Sequence, residues 1–131
     1  MARPTQVDEL LAGYPEPVQQ TAAAARALLT SMLPGIQENA DVSAKLIGYS
    51  YGPGYKGLLF TLILSQKGVK LGIFRGAELP DPKALMTGEG KVHLHVPLRS
   101  PTDLDRPGLK PLLKVALKAW RARTAEAQST R

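Results

Sequence analysis

Three tyrosines lie within seven residues of a chain that otherwise has few aromatic side chains. They are Tyr49, Tyr51 and Tyr55, and Lys56 follows the last of them in the glycine-rich segment 52–57. Aromatic faces, hydroxyl groups and exposed glycine amides can line a ligand cleft. The alternative is that these rings only cover one end of a sheet.

The two histidines of the chain, His93 and His95, are separated by one residue in a predicted strand. Side chains at this spacing point to the same face of a strand, so the pair could chelate a metal if a third ligand came from elsewhere. Glu89 is the nearest candidate in sequence. Surface or pocket histidines without a metal are the alternative, and we predict no metal and no other cofactor.

Four basic residues follow one another at intervals of four, four and three near the end of the chain. On a helix they form a basic ridge that could follow phosphates. A solvated helix face is the alternative, because the stretch lacks the aromatic partners usual in nucleic-acid surfaces. The ridge residues are Lys110, Lys114, Lys118 and Arg121.

Motifs of familiar enzymes are missing. The segment 88–91, Gly-Glu-Gly-Lys, resembles a phosphate loop, but that loop needs four residues between its glycines and Ser or Thr after the lysine, where this chain has Val92. No nucleophile elbow, zinc-protease motif or dinucleotide fingerprint occurs either. We therefore favour a binding protein over an enzyme.

Composition limits the class of protein. A chain of 131 residues without cysteine is the size of one domain that needs no disulfides. Asp8 and Glu9 near the start argue against a secretory signal, and no apolar run approaches a membrane span, so we expect a cytoplasmic protein without a membrane partner. The net charge of +6 is high enough to suggest nucleic acid, an acidic membrane surface or an anionic metabolite as partner.

Hydrophobic periodicity predicts the sheet. The apolar run 58–64 is typical of a central strand buried on both faces, and a short turn joins it to the alternating strand 69–75. A third strand, 92–98, contains Pro97, which indicates that the strand lies at an edge or ends there. Segment 44–51 can be extended, whereas 36–41 is ambiguous. The expected sheet is antiparallel.

Helical periodicity flanks the sheet. Thr5 and Asp8 suggest a capping box for a short helix that ends at Gly13, and a longer helix follows Pro15 and stops before Pro34. Asp81 should cap a helical turn at 82–86, and Asp105 should cap the last helix. That helix has an apolar stripe formed by Leu109, Leu112, Leu113, Ala116, Leu117 and Trp120.

The prediction is thus an α+β fold, with an antiparallel sheet of four to five strands packed by N-terminal helices and a long C-terminal helix. One domain should span residues 1–123, and 124–131 should form a disordered tail. An edge strand allows either a monomer or a homodimer.

Three segments resemble the YdhG-like family of small bacterial proteins of unknown function: VDELLAGYPEP, GIFRGAELPDPKALMTGEGKVHLHV and SPTDLDRPGLKPLLKVAL. The resemblance covers nearly the whole chain and implies an α+β domain. Glu78, Asp81 and His95 fall on the family's central motif. One branch of the family is described as frataxin-like, which would imply handling of iron.

From the residues we predict a cleft for a small anionic ligand or a protein partner beside the sheet. Nucleic-acid binding through the basic ridge is the alternative, and frataxin-like metal handling by His93 and His95 is a weaker one. The predicted cleft residues are Tyr49, Tyr51, Tyr55, Lys56, Arg75, Lys91 and His95.

Overall fold

Five antiparallel strands form the centre of the protein, in the order in which they occur in the chain. The computed structural model describes residues 6–52, 57–88, 90 and 92–129. Two helices precede the sheet and one follows it, so the predicted α+β arrangement is confirmed. The elements are α1 Gln6–Ala12, α2 Glu16–Met32, β1 Gln37–Asp41, β2 Leu46–Ser50, β3 Leu58–Ser65, β4 Gly68–Ile73, β5 Leu94–Leu98 and α3 Leu109–Ser129.

The two faces of the sheet differ. Ile47, Leu62, Leu71 and Val96 lie side by side on four neighbouring strands and are fully buried in one core with α1, α2 and the apolar side of α3. Their neighbours along the strands point to the opposite face, which we call the open face. There Thr61 and Ile63 of β3 stay partly exposed. The prediction that 58–64 is central is therefore correct, but the prediction of burial on both faces is wrong.

The ambiguous segment 36–41 contains the edge strand β1. Its sequence, QENAD, has no apolar alternation, and every one of its residues pairs with β2. Strand β5 occupies the other edge, as predicted, but it begins at Leu94 and leaves Val92 exposed. On its outer side, Thr87 and His95 exchange two backbone hydrogen bonds of 2.7 and 2.9 Å.

Helix α3 begins at Leu109, so Asp105 does not cap it. Asp105 instead ends a 3₁₀ helix, Pro101–Asp105. The predicted stripe is confirmed, because its first four residues are buried and Leu117 and Trp120 pack partly against the core. The helix continues past residue 123, the predicted end of the domain, as far as Ser129.

The predicted helical turn at 82–86 is absent. Ala84 has a left-handed backbone with a φ of 51°, which interrupts a right-handed helix. Asp81 therefore does not cap a helix, and its carboxylate instead accepts hydrogen bonds from the backbone N–H groups of Leu85 and Met86 at 2.9 and 2.8 Å. Thr5 of the predicted capping box lies outside the described residues.

Candidate functional site

The strand order brings four strand ends together. Because all pairings are antiparallel, the chain leaves β2, enters β3, leaves β4 and enters β5 at the same end of the sheet. Tyr51, Arg75 and His93 lie beside these ends. Segments that are distant in sequence therefore meet there, as the cleft hypothesis requires.

Tyr51 connects this end of the sheet to two helices. Its hydroxyl donates a hydrogen bond of 3.0 Å to the carbonyl oxygen of Pro34, just after α2. Its ring lies against Trp120 of α3, with 5.4 Å between ring centroids. Burial raises the pKa of Tyr51, and the nearby charge of Arg121 acts in the opposite direction. Residues 120 and 121 of α3 thus belong to the same region as Tyr51.

Arg75 is held by the segment that leads into β5. It has a left-handed backbone with a φ of 59°, and its N–H donates a hydrogen bond of 2.9 Å to Nδ1 of His93. The His93 ring stacks on Phe74, with 4.5 Å between centroids. The guanidinium of Arg75 binds the Glu78 carboxylate through Nε and Nη2. This end of β4 is therefore positioned by both backbone and side-chain contacts.

Arg123 adds a second guanidinium near Arg75. It lies on α3 and is partly buried. Burial and the positive charge of Arg75 lower the pKa of Arg123, whereas Glu78 raises it. The hydrogen bond from Arg75 is the main cause of the lowered pKa of Glu78, and Arg123 also contributes. Arg75 thus binds the Glu78 carboxylate directly, and Arg123 adds a second positive charge that acts on both groups.

Six residues beside these strand ends form a group that we call the sheet-end cluster: Tyr51, Arg75, Glu78, Trp120, Arg121 and Arg123. From the sequence, only Tyr51 and Arg75 of this cluster are predicted to bind a ligand. The sequence places Trp120 on the apolar stripe and Arg121 on the basic ridge. The signal for Arg123 is its position two residues after Arg121 in the same basic segment.

Tyr49 occupies a different environment. It is fully buried, and its hydroxyl donates a hydrogen bond of 2.6 Å to Oε2 of Glu38. Arg26 binds the same carboxylate from α2 through Nε and Nη2, at 3.0 and 2.9 Å. Burial and the bond to Glu38 raise the pKa of Tyr49. Its side chain therefore contributes to the core and does not line the sheet-end cluster.

His95 is not brought into the cluster. It pairs with Gly72 and points to the open face, whereas Tyr51 contacts the helices. Its Nε2 lies 3.1 Å from the hydroxyl of Thr87. Burial, followed by the charge of Lys70, lowers the pKa of His95. The other predicted cleft residues, Tyr55, Lys56 and Lys91, lie outside the described residues.

The alternative sites can also be located. All four residues of the basic ridge, Lys110, Lys114, Lys118 and Arg121, are exposed on α3.

The two histidines of the predicted metal site have other partners. Nδ1 of His93 accepts the hydrogen bond from the backbone N–H of Arg75, and Nε2 of His95 forms a hydrogen bond with the hydroxyl of Thr87. Within residues 6–52, 57–88, 90 and 92–129, no group of three or more His, Cys, Asp or Glu side chains could hold a metal ion.

No family model matches the chain, and it matches no curated protein and no solved structure. Among the described helices, none combines the length and the apolar character needed to cross a membrane. Function must therefore be inferred from the chain's own residues.

Proposed function

We propose that the protein is a cytoplasmic, non-catalytic binding protein of the YdhG-like type, which takes a small anionic ligand at the sheet-end cluster. Arg75 and Arg123 would bind the charge, and the rings of Tyr51 and Trp120 would contact the ligand body. A protein partner that presents a carboxylate or phosphate would use the same guanidinium groups.

The observation that carries this proposal is the juxtaposition of Arg75 and Arg123. A partly buried guanidinium near a second one is unfavourable without a counter-charge. The Glu78 carboxylate binds Arg75 directly and acts on Arg123 through its charge. An incoming anion would relieve the repulsion and accept charge-assisted hydrogen bonds. The geometry is preorganised, because Arg75 is held through His93 and Glu78.

Trp120 allows a direct test, since it is the only tryptophan in the chain. We expect its fluorescence to change when inorganic phosphate is added at low ionic strength, and to stay constant when sodium chloride is added to the same ionic strength. Arg123→Gln should weaken phosphate binding about tenfold by removing a charged donor. Arg106→Gln is the matched control, because Arg106 is exposed before the start of α3.

Two results would contradict the proposal. One is a Trp120 signal that does not respond to phosphate, or that responds to chloride equally. The other is an unchanged phosphate affinity in both Arg123→Gln and Arg75→Gln.

A second candidate function is nucleic-acid binding through the basic ridge. It is favoured by the position of Arg121, the last residue of the ridge, which lies near Tyr51 and follows Trp120. The fold thus adds the ring of Tyr51 beside Trp120, the one aromatic residue in the sequence of α3. Phosphates could follow the ridge while a base contacts these rings.

A further inference from the structure

The open face of the sheet carries two rows of side chains that run across four strands. The first row places Asp41, Leu46, Ile63 and Lys70 on β1, β2, β3 and β4. Its central pair is apolar and partly exposed, and its two ends carry opposite charges that are exposed. Such a face can pack against the same face of a second molecule if that molecule is turned so that its strands follow in the opposite order. Each charged end of the row then faces the end of opposite charge.

The second row lies two residues from the first along each strand, and its side chains differ in size. It consists of Asn39, Gly48, Thr61 and Gly72. Gly48 has no side chain, and the nearest atom to a Cβ built there is a methyl carbon of Leu58 at 3.5 Å. Thr61 projects from the neighbouring strand. The row therefore has a depression on β2 beside a projection on β3.

A broad cavity lies over the same strands. Its volume is about 620 Å³, and it extends from Asp41 on β1 across Leu46 and Gly48 to Thr61 on β3. A smaller cavity of about 190 Å³ continues over β3 and β4 beside Phe74. Leu58 and Thr61 line both cavities, so the two cavities adjoin each other on the open face.

We infer that this open face binds the open face of a second copy of the chain. The two-fold axis would run parallel to the strands, between the two sheets and above the gap that separates β2 from β3. This operation places β2 over the partner's β3 and β1 over the partner's β4. Stacked sheets pack about 10 Å apart with interdigitating side chains.

This arrangement pairs complementary residues in both rows. Asp41 meets the partner's Lys70, and by symmetry Lys70 meets the partner's Asp41. Leu46 meets the partner's Ile63, which buries an apolar pair at the centre. In the second row, Thr61 enters the depression at the partner's Gly48.

A two-fold axis placed above β3 would be less favourable. If the axis lay above β3, Leu46 would face the partner's Lys70 and Thr61 would face the partner's Thr61. A charge would then be buried against an apolar side chain without its counter-ion. The charge pattern therefore selects the axis between β2 and β3, and strand β5 with His95 lies outside the overlap.

Charge reversal tests the dimer sharply. The wild type should change from monomer to dimer in sedimentation velocity as its concentration rises from roughly 1 μM to 1 mM. Asp41→Lys alone and Lys70→Glu alone each create two like-charge contacts, so each should raise the dimer Kd about tenfold or more. An equimolar mixture of the two variants forms only opposite-charge contacts in the mixed dimer, and should restore dimerisation.

The mixture also controls for folding, because a misfolded variant could not restore the dimer. Lys110→Glu makes the same charge change on α3 and should leave the Kd unchanged. A wild type that stays monomeric throughout would overturn the inference, as would two variants whose mixture fails to dimerise. A dimer that resists both reversals but is lost in Asn39→Pro would join through the edge of β1, and would overturn it too.

Discussion

At the scale of single residues, Glu38 is held by hydrogen bonds from two side chains. Its carboxylate accepts two hydrogen bonds from the guanidinium of Arg26 and one from the hydroxyl of Tyr49. Burial alone would raise the pKa of Glu38, but these hydrogen bonds outweigh burial and the pKa is lowered. The ionised form is therefore the one that the fold stabilises.

The pH dependence of stability follows from that direction. Because the pKa of Glu38 in the folded state is below its ordinary value of 4.5, its contribution is complete above that pH. The contribution is lost as the pH falls through the lower pKa of the folded state. Glu38→Gln should cost about 1–3 kcal/mol at pH 7 and flatten the decrease of stability in acid. Urea unfolding at a series of pH values measures both effects.

The matched control is Glu9→Gln, because Glu9 is exposed on α1. It should change the free energy of unfolding by less than about 0.5 kcal/mol. Equal losses in the two variants at pH 7 would show that Arg26 and Tyr49 do not stabilise the ionised carboxylate.

At the scale of elements, β3 and β4 fit closely because Gly72 has no side chain. A Cβ built at Gly72 would lie 2.2 Å from the hydroxyl oxygen of Thr61, its partner on β3. The Cβ of Thr61 would be 3.6 Å away, an ordinary contact. The conflict therefore concerns one oxygen atom, and Thr61 can relieve it only by leaving its rotamer.

This geometry predicts a specific coupling between the two strands. Gly72→Ala should lower the free energy of unfolding by about 1 kcal/mol, the cost of an unfavourable rotamer. In a Thr61→Ala background the same substitution should cost nothing or stabilise slightly, since alanine has less backbone entropy to lose than glycine. Chemical unfolding of the four proteins of this double-mutant cycle measures the coupling energy. Strictly additive effects would contradict the predicted contact.

At the scale of the whole molecule, the position of the basic residues determines where anions are attracted. The net charge is +6, and the segment 106–123 contains six basic residues and no acidic one. The structure places the ridge of α3 in solvent and the end of the ridge at the sheet-end cluster. Anions of any kind should therefore be attracted to one side of the molecule.

The nucleic-acid candidate predicts a steep dependence on salt. Lys114→Gln with Lys118→Gln should weaken binding to a single-stranded oligonucleotide and reduce the slope of log K against log salt by about 1.4, because two phosphate contacts are lost. Fluorescence anisotropy across a salt series measures the slope. Lys67→Gln is the control, since Lys67 is exposed in the β3–β4 turn. Binding that does not depend on salt, or that is weakened equally by the control, would exclude the ridge.

The sequence by itself determined those elements whose hydrophobic pattern is local. The alternation in β4 placed Lys70 and Gly72 on one face and Val69, Leu71 and Ile73 on the other. The stripe on α3 identified its buried side before any partner was known. Both follow from backbone geometry, because a strand repeats every two residues and a helix every 3.6.

Only the tertiary structure decided which distant groups meet. The polar sequence of β1 carries no strand pattern and is held by its pairing with β2. Tyr51 is a candidate binding residue in the sequence because other tyrosines lie close to it in the chain. In the structure its ring contacts Trp120, which is distant in sequence. The charges of Arg75 and Arg123 act on each other although the two residues are distant in sequence. These contacts depend on how whole elements pack, and the local order of apolar and polar residues does not specify which elements will be neighbours.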